Sequence, residues 1–178
     1  LFGAMGGGRD PRKGFDLLQS ALQHLRGQMQ GLELVVFGQL RPKEAPDLGF
    51  PVHYTGHLHD DLSLRVLYSA ADVMAVPSRQ EAFGQTALEA MACGTPVVAF
   101  DVCGLPDIVV HGQTGYLARP FDSEDLARGI HWVLAHAQAR GLREQARARA
   151  VERFSAERVA KQYLDLYEAV LARERGHV

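Results

Sequence analysis

The chain has 178 residues, with 47% hydrophobic and 22% charged residues, and 19 Lys and Arg against 21 Asp and Glu for a net charge of −2. That is length for one domain with a substantial core, and the mix excludes wholesale disorder. A near-neutral chain lacks the basic footprint of a general nucleic-acid binder. No apolar run approaches the roughly 20 residues of a membrane span, and the two cysteines, Cys93 and Cys103, give neither a disulfide framework nor a four-ligand zinc set.

Leu1-Phe2-Gly3-Ala4 reads as the end of a buried strand, which suggests a piece cut from a larger protein at a domain boundary. A Gly-rich loop follows from Met5 to Lys13. Next comes a helix with Phe15, Leu18, Leu22 and Leu25 at helical spacing. Leu32 to Gly38 is a short apolar run expected as a buried strand, and Val52 to Thr55 is another. Asp60 or Asp61 caps a helix reaching Ala71, and Asp72 to Val76 is a strand stopped by Pro77. Gly84 to Cys93 reads as a helix ended by Gly94. Pro96 to Phe100 reads as a strand, Gly104 to Val110 as a turn with a short helix, and Tyr116-Leu117 as the next extended piece. Helices are expected over Asp122 to Ala139 and Gly141 to Arg153. The Arg/Ala-rich stretch Arg143 to Arg153 reads as a solvated face. A last helix, residues 155–173, starts at Ser155 and carries Val159, Tyr163, Leu166, Tyr167 and Val170 on one face. Alternating strands and helices predict an α/β fold: a Rossmann-like, doubly wound parallel sheet with extra C-terminal helices, in one domain over 1–178.

The strongest constellation is Glu81-Ala82-Phe83-Gly84-Gln85-Thr86-Ala87-Leu88-Glu89, across a strand–loop–helix junction. Such junctions, at the carboxyl ends of parallel strands, are where open α/β sheets bind ligands. The amides of Phe83, Gly84 and Gln85 at a helix N-terminus make an anion site, most naturally for phosphate. Glu81 lies before the helix, beside the anion; Glu89 lies more than a turn inside it, and a carboxylate accepts from the vicinal hydroxyls of ribose or a sugar ring. The plainer reading is a helix N-terminal charge for Glu81 and an exposed polar residue for Glu89.

The second constellation is the loop Gly3 to Gly14, whose Lys13, Arg9 and Arg12 suit phosphate oxygens. It matches neither the P-loop nor G-x-G-x-x-G. A dehydrogenase-type reading weakens because the second strand ends Phe37-Gly38-Gln39 without an acid for the ribose. A solvated surface loop is the alternative. His53, His57 and His59 beside Asp60 and Asp61 allow a metal site, but a polar loop with a helix cap is the more ordinary reading, so no metal ligands are assigned. Cys93 reads as a small buried residue and Trp132 as packing.

The run Ser78 to Asp107, SRQEAFGQTALEAMACGTPVVAFDVCGLPD, resembles the donor-binding segment of retaining glycosyltransferases of family 4, enzymes with the two-domain GT-B fold. The likeness extends through Tyr54-Thr55-Gly56, Leu67 to Asp72, His111 to Leu117 and the last helix. The resemblance implies the C-terminal half of such an enzyme. That half would bind a UDP-, GDP- or ADP-sugar without a metal or other cofactor; the parent would transfer the sugar to a glycan or lipid-linked acceptor held by the absent N-terminal domain. The two cysteines and the absence of a signal-peptide layout make a cytoplasmic setting the default expectation, with a parent that could associate with the membrane's cytoplasmic face; a chain that opens inside a strand without an acceptor domain is expected to be inactive alone. By the same resemblance Lys13 contacts the diphosphate, Phe83 and Gly84 donate to its distal phosphate, Glu81 stands near the donor sugar and Glu89 holds the ribose. Gly56, His57 and Leu58 match the nucleobase region. The family's Gly-Arg after the first strand is replaced here by Gly3-Ala4, so Arg9 or Arg12 is expected to supply the charge. The alternatives are half of a GT-B-type nucleotide-sugar epimerase or glycan phosphorylase, and a non-catalytic scaffold that kept the fold.

Overall fold

The computed structural model describes residues 1–3 and 10–175, the side chains of 174 and 175 excepted. Strands β1 (Phe2–Gly3), β2 (Leu34–Phe37) and β3 (Val52–Gly56) pair in parallel in that order. So do β4 (Met74–Val76), β5 (Val97–Phe100) and β6 (Gly115–Ala118). Two hydrogen bonds join the two sets: the Leu1 nitrogen donates to the Val73 carbonyl at 2.8 Å, and the Ala75 amide donates to the Leu1 carbonyl at 2.9 Å. The strands therefore lie in the order β3-β2-β1-β4-β5-β6. The winding reverses between β1 and β4, and at such a switch point the loops on either side splay apart and leave a crevice.

Both faces of this sheet are covered, as the unbroken apolar strands require. Side chains alternate across it: Val98 and Phe100 of β5 enter one core, Val97 and Ala99 the other. The first core is closed by α1 (Phe15–Leu25) and α5 (Ser123–His136). Leu18, Ala21, Leu22 and Leu25 are the buried stripe of α1, at the i, i+3, i+4, i+7 spacing of one helix face. The second core is closed by α2 (Asp61–Ala70), α3 (Gln85–Ala92), α4 (Leu105–Ile108) and α6 (Leu142–Phe154). Asp60 is the cap of α2: its carboxylate accepts from the Ser63 amide and hydroxyl, both at 2.7 Å. The strands are shorter than the apolar runs suggested, because residues such as Leu32 and Asp72 lead into the sheet without pairing in it.

The arginine-rich segment departs from the sequence expectation. It is α6, and its Leu142, Ala146 and Ala150 are buried. Its arginines are not simply solvated. Arg143 donates to the carbonyls of Ala71 and Ser69, both at 2.9 Å. Arg147 donates to the Ala92 carbonyl, and Arg149 to those of Ile108 and Asp107, both at 2.6 Å. These carbonyls lie at the C-terminal ends of α2, α3 and α4, where acceptors lack intrahelical partners and the dipole is negative. One helix thus closes three helix ends. Arg149→Ala should lower stability by about 1.5–3 kcal/mol, the range for hydrogen bonds to a charged group. A urea midpoint shifted down at unchanged slope is the expected readout.

The last helix, α7 (Ala156–Arg175), starts one residue later and extends further than expected. Ser155 precedes it, and its hydroxyl accepts from the Arg158 amide at 3.4 Å. Val159 is half-buried, while Tyr163, Leu166, Tyr167 and Val170 are exposed. Among the described residues no helix is long and apolar enough to cross a membrane.

Candidate functional site

The crevice at the switch point is built from the loops that follow β1 and β4. After β1 the chain makes a short 3-10 turn, Pro11–Lys13. Asp10 caps it, accepting from the Arg12 amide at 3.0 Å, and the Arg12 guanidinium folds back onto the same carboxylate at 2.8 Å. Those hydrogen bonds hold the Asp10 carboxyl below the usual carboxylate range. Arg12 is thus engaged by Asp10 rather than turned into the crevice. Arg9 lies outside the described residues.

A second arginine fastens this turn to the β4 loop. The Arg79 amide donates to the Arg12 carbonyl at 2.7 Å, and its guanidinium donates to the Pro11 carbonyl at 2.9 Å. The same guanidinium grips both oxygens of Asp16, at 2.8 and 2.7 Å, and lowers that carboxyl's pKa. Gly14 makes the approach possible: its φ is +65°, and a Cβ there would come 1.9 Å from the Pro77 carbonyl oxygen. Sequence reasoning gave Arg79 no role. The only signal was its place beside Ser78 at the end of a strand.

So clamped, Lys13 meets Glu81: the ammonium donates to a carboxylate oxygen that also accepts from the Ser78 hydroxyl at 3.0 Å. The Glu81 side chain is 13% exposed. Beyond it the chain enters α3 through Gly84, at φ +98°. The Gly84 carbonyl accepts from the Ala87 and Leu88 amides at 3.0 and 3.1 Å, which starts the helix. The amides of Phe83, Gly84 and Gln85 donate to no protein group among the described residues. No side chain caps them either. They open onto a cleft of about 350 Å³ lined by Lys13 and by Glu81 through Thr86. Free donors, a helix N-terminus and an ammonium on one wall form a ready anion site. The Phe83 ring is held edge-on to Phe154 at 5.7 Å, so the end of α6 supports this loop.

The structure therefore brings Lys13, Glu81, Phe83, Gly84 and Gln85 into one cleft. Glu89 lies one turn further along α3 and lines a second cleft of about 450 Å³ with Arg65, Tyr68 and Arg147. Gln85 and Glu89 are i and i+4 on the same helix surface. One Glu89 oxygen accepts from the Tyr68 hydroxyl at 2.9 Å. At the end of edge strand β3, Gly56 is bound on both sides: its amide donates to Gln39 at 3.1 Å and its carbonyl accepts from Gly38 at 2.8 Å. That leaves the main chain of His57 and Leu58 as the unpaired groups there among the described residues. The histidines do not converge: His53 pairs with Glu33 at 2.8 Å, and the His57 and His59 rings stack at 6.3 Å. Cys93, expected buried, is half-buried at the C-terminal end of α3.

The family profile described as "Glycosyl transferases group 1" matches residues 1–136. A D-inositol 3-phosphate glycosyltransferase of Saccharomonospora viridis is 43% identical over 110 residues, covering 62% of this chain and 26% of that protein. An MMP alpha-(1->4)-mannosyltransferase of Mycolicibacterium hassiacum is 36% identical over 172 residues, covering 92% of this chain and 41% of that protein. Among solved structures, sucrose-phosphate synthase from Thermosynechococcus elongatus superposes with a TM-score of 0.76 at 35% identity, over 97% of this chain and 45% of its own. Anabaena HepE, in complex with UDP and glucose, superposes with a TM-score of 0.74 at 26% identity, over 94% of this chain and 48% of its own. The chain thus spans less than half the length of each of these proteins.

Proposed function

This chain belongs to the group 1 glycosyl transferases, and from that premise we propose that it is the donor-binding half of a retaining, family 4 glycosyltransferase with the GT-B architecture. Its ligand is a nucleoside-diphosphate sugar carrying UDP, GDP or ADP. One observation carries the reading: at the switch point, Lys13 and the free amides of Phe83, Gly84 and Gln85 share a cleft with Glu81. The diphosphate accepts from those amides and from Lys13, which meet the charge that develops on it as its bond to the sugar breaks. The nucleotide is a good leaving group only to the extent that this charge is stabilised. Glu81 stands beside the sugar, Glu89 accepts from the ribose hydroxyls, and His57 and Leu58 offer main-chain groups to the base. One relative, Anabaena HepE, solved in complex with UDP-glucose and with UDP and glucose, supports this class of donor. The acceptor, a glycan or a lipid-linked sugar, is held by the rest of the parent enzyme, and the chain alone transfers no sugar.

Calorimetry of the chain with UDP, GDP and ADP tests the proposal. One of the three should bind at least about tenfold tighter than the others, because a base-specific contact is worth roughly 1.4 kcal/mol or more. If none binds to the folded chain, the site is not a donor site, and a scaffold that kept only the fold is the better description. Sugar transfer by the chain alone would overturn the assignment of the acceptor to another part of the enzyme.

A further inference from the structure

Tyr68 was part of the resemblance but carried no role in it. It is 2% exposed, the largest of the fully enclosed side chains, and sits in the core beneath α3. Four contacts fix it. Its ring lies edge-on to Phe37 at 5.6 Å. Its carbonyl accepts from the hydroxyl of fully buried Thr95, and also from the Ala71 amide at 3.1 Å. Its own hydroxyl donates to a Glu89 oxygen at 2.9 Å.

Glu89 is the opposite kind of residue: exposed, on a long side chain with many rotamers. Left alone it would sample those rotamers, and a ligand would have to order it on binding. We propose that Tyr68 is a positioning residue for Glu89: it holds one carboxylate oxygen from within the core, so that the other is presented ready-ordered to the vicinal hydroxyls of a ribonucleotide. This rests on the reading of Glu89 as the ribose acceptor given above. A phenol hydroxyl has a single proton to donate, and here it is spent on Glu89. Burial and the adjacent Glu89 charge push the Tyr68 pKa up, so the hydroxyl stays a donor throughout the pH range of folded proteins. The second Glu89 oxygen has no partner among the described residues and retains its full acceptor capacity.

The consequence is selectivity for ribose, not merely affinity. The probes are UDP, GDP and ADP and their 2′,3′-dideoxy counterparts, and the variants are Tyr68→Phe, Glu89→Gln and the double variant. Tyr68→Phe keeps the ring and its packing on Phe37 and removes only the hydroxyl. We expect it to weaken the ribonucleotide about fivefold, the ordering cost of one side chain, and to leave the dideoxy form unchanged. Glu89→Gln should abolish the preference for ribose, and adding Tyr68→Phe to it should then change nothing. Equal weakening of both forms by Tyr68→Phe would make Tyr68 a purely structural residue and overturn the proposal. So would an unchanged preference. Failure of the underlying reading looks different: the wild-type chain would not distinguish ribose from dideoxyribose at all. A matching thermal midpoint for Tyr68→Phe and wild type confirms that the comparison is between folded proteins.

Discussion

Lys13→Ala is expected to weaken binding of the preferred nucleoside diphosphate by about 100-fold, close to the upper end of what a hydrogen bond to a charged group contributes. The loss has two parts. The ammonium no longer meets the diphosphate. In addition, Glu81, 13% exposed beside Lys13, keeps only the Ser78 hydroxyl as partner and becomes an unpaired carboxylate facing the incoming phosphates. Like charges in a partly desolvated cleft repel more strongly than in water. The second part is separable. Glu81→Gln in the Lys13→Ala background should recover part of the lost affinity, because it removes the repulsion without restoring the cation. The nucleoside monophosphate should lose less than the diphosphate, since it places less charge in the cleft. Stability should change little, by about 1 kcal/mol, as for a part-exposed ion pair. Calorimetry of the two variants with mono- and diphosphate decides it. A Lys13→Ala chain that binds the diphosphate as tightly as wild type would remove Lys13 from the site.

How much of this was legible in the sequence follows from range. The α/β order, the doubly wound class and the junction at Glu81 to Gln85 were readable because each is a local pattern: an apolar run, a cap, a glycine before a helix. The free amides of Phe83, Gly84 and Gln85 follow from helix geometry alone. What could not be read is what lies between segments distant in the chain. Arg79 clamps Pro11 and Asp16, residues far from it in sequence that come together only because β1 and β4 are neighbours in the sheet. Arg149 reads as one charge among many in a helix of low hydrophobicity, yet its partners are the carbonyls of Asp107 and Ile108. The same holds for Tyr68 and Glu89, on two different helices. The Arg12–Asp10 pair is local, two residues apart, yet it was not anticipated, because both side chains read equally well as solvated loop charges.

Gly14→Ala is the substitution expected to cost the most stability, about 3 kcal/mol or more. The left-handed conformation at φ +65° accounts for about 1–2 kcal/mol of that in any residue with a Cβ. The remainder is steric. The obstructing atom, 1.9 Å from the added carbon, is the Pro77 carbonyl oxygen, a main-chain atom at the end of β4, and not a side chain that could swing aside. Relief therefore requires the turn Pro11–Lys13 to lift away from β4. That breaks the Arg79 contacts with Pro11 and Arg12, and Lys13 withdraws from Glu81. Stability and nucleotide affinity should fall together, although Gly14 touches no ligand. Gly84→Ala is the control. Its φ is +98°, but the added carbon meets the Leu105 side-chain tip at 3.0 Å, and such an end can rotate away. Thermal unfolding should therefore rank Gly14→Ala well below Gly84→Ala, and both below wild type. A Gly14→Ala chain with wild-type stability and affinity would mean that the close packing of the first loop on β4 does not hold Lys13 in place, and the anion site would need another origin.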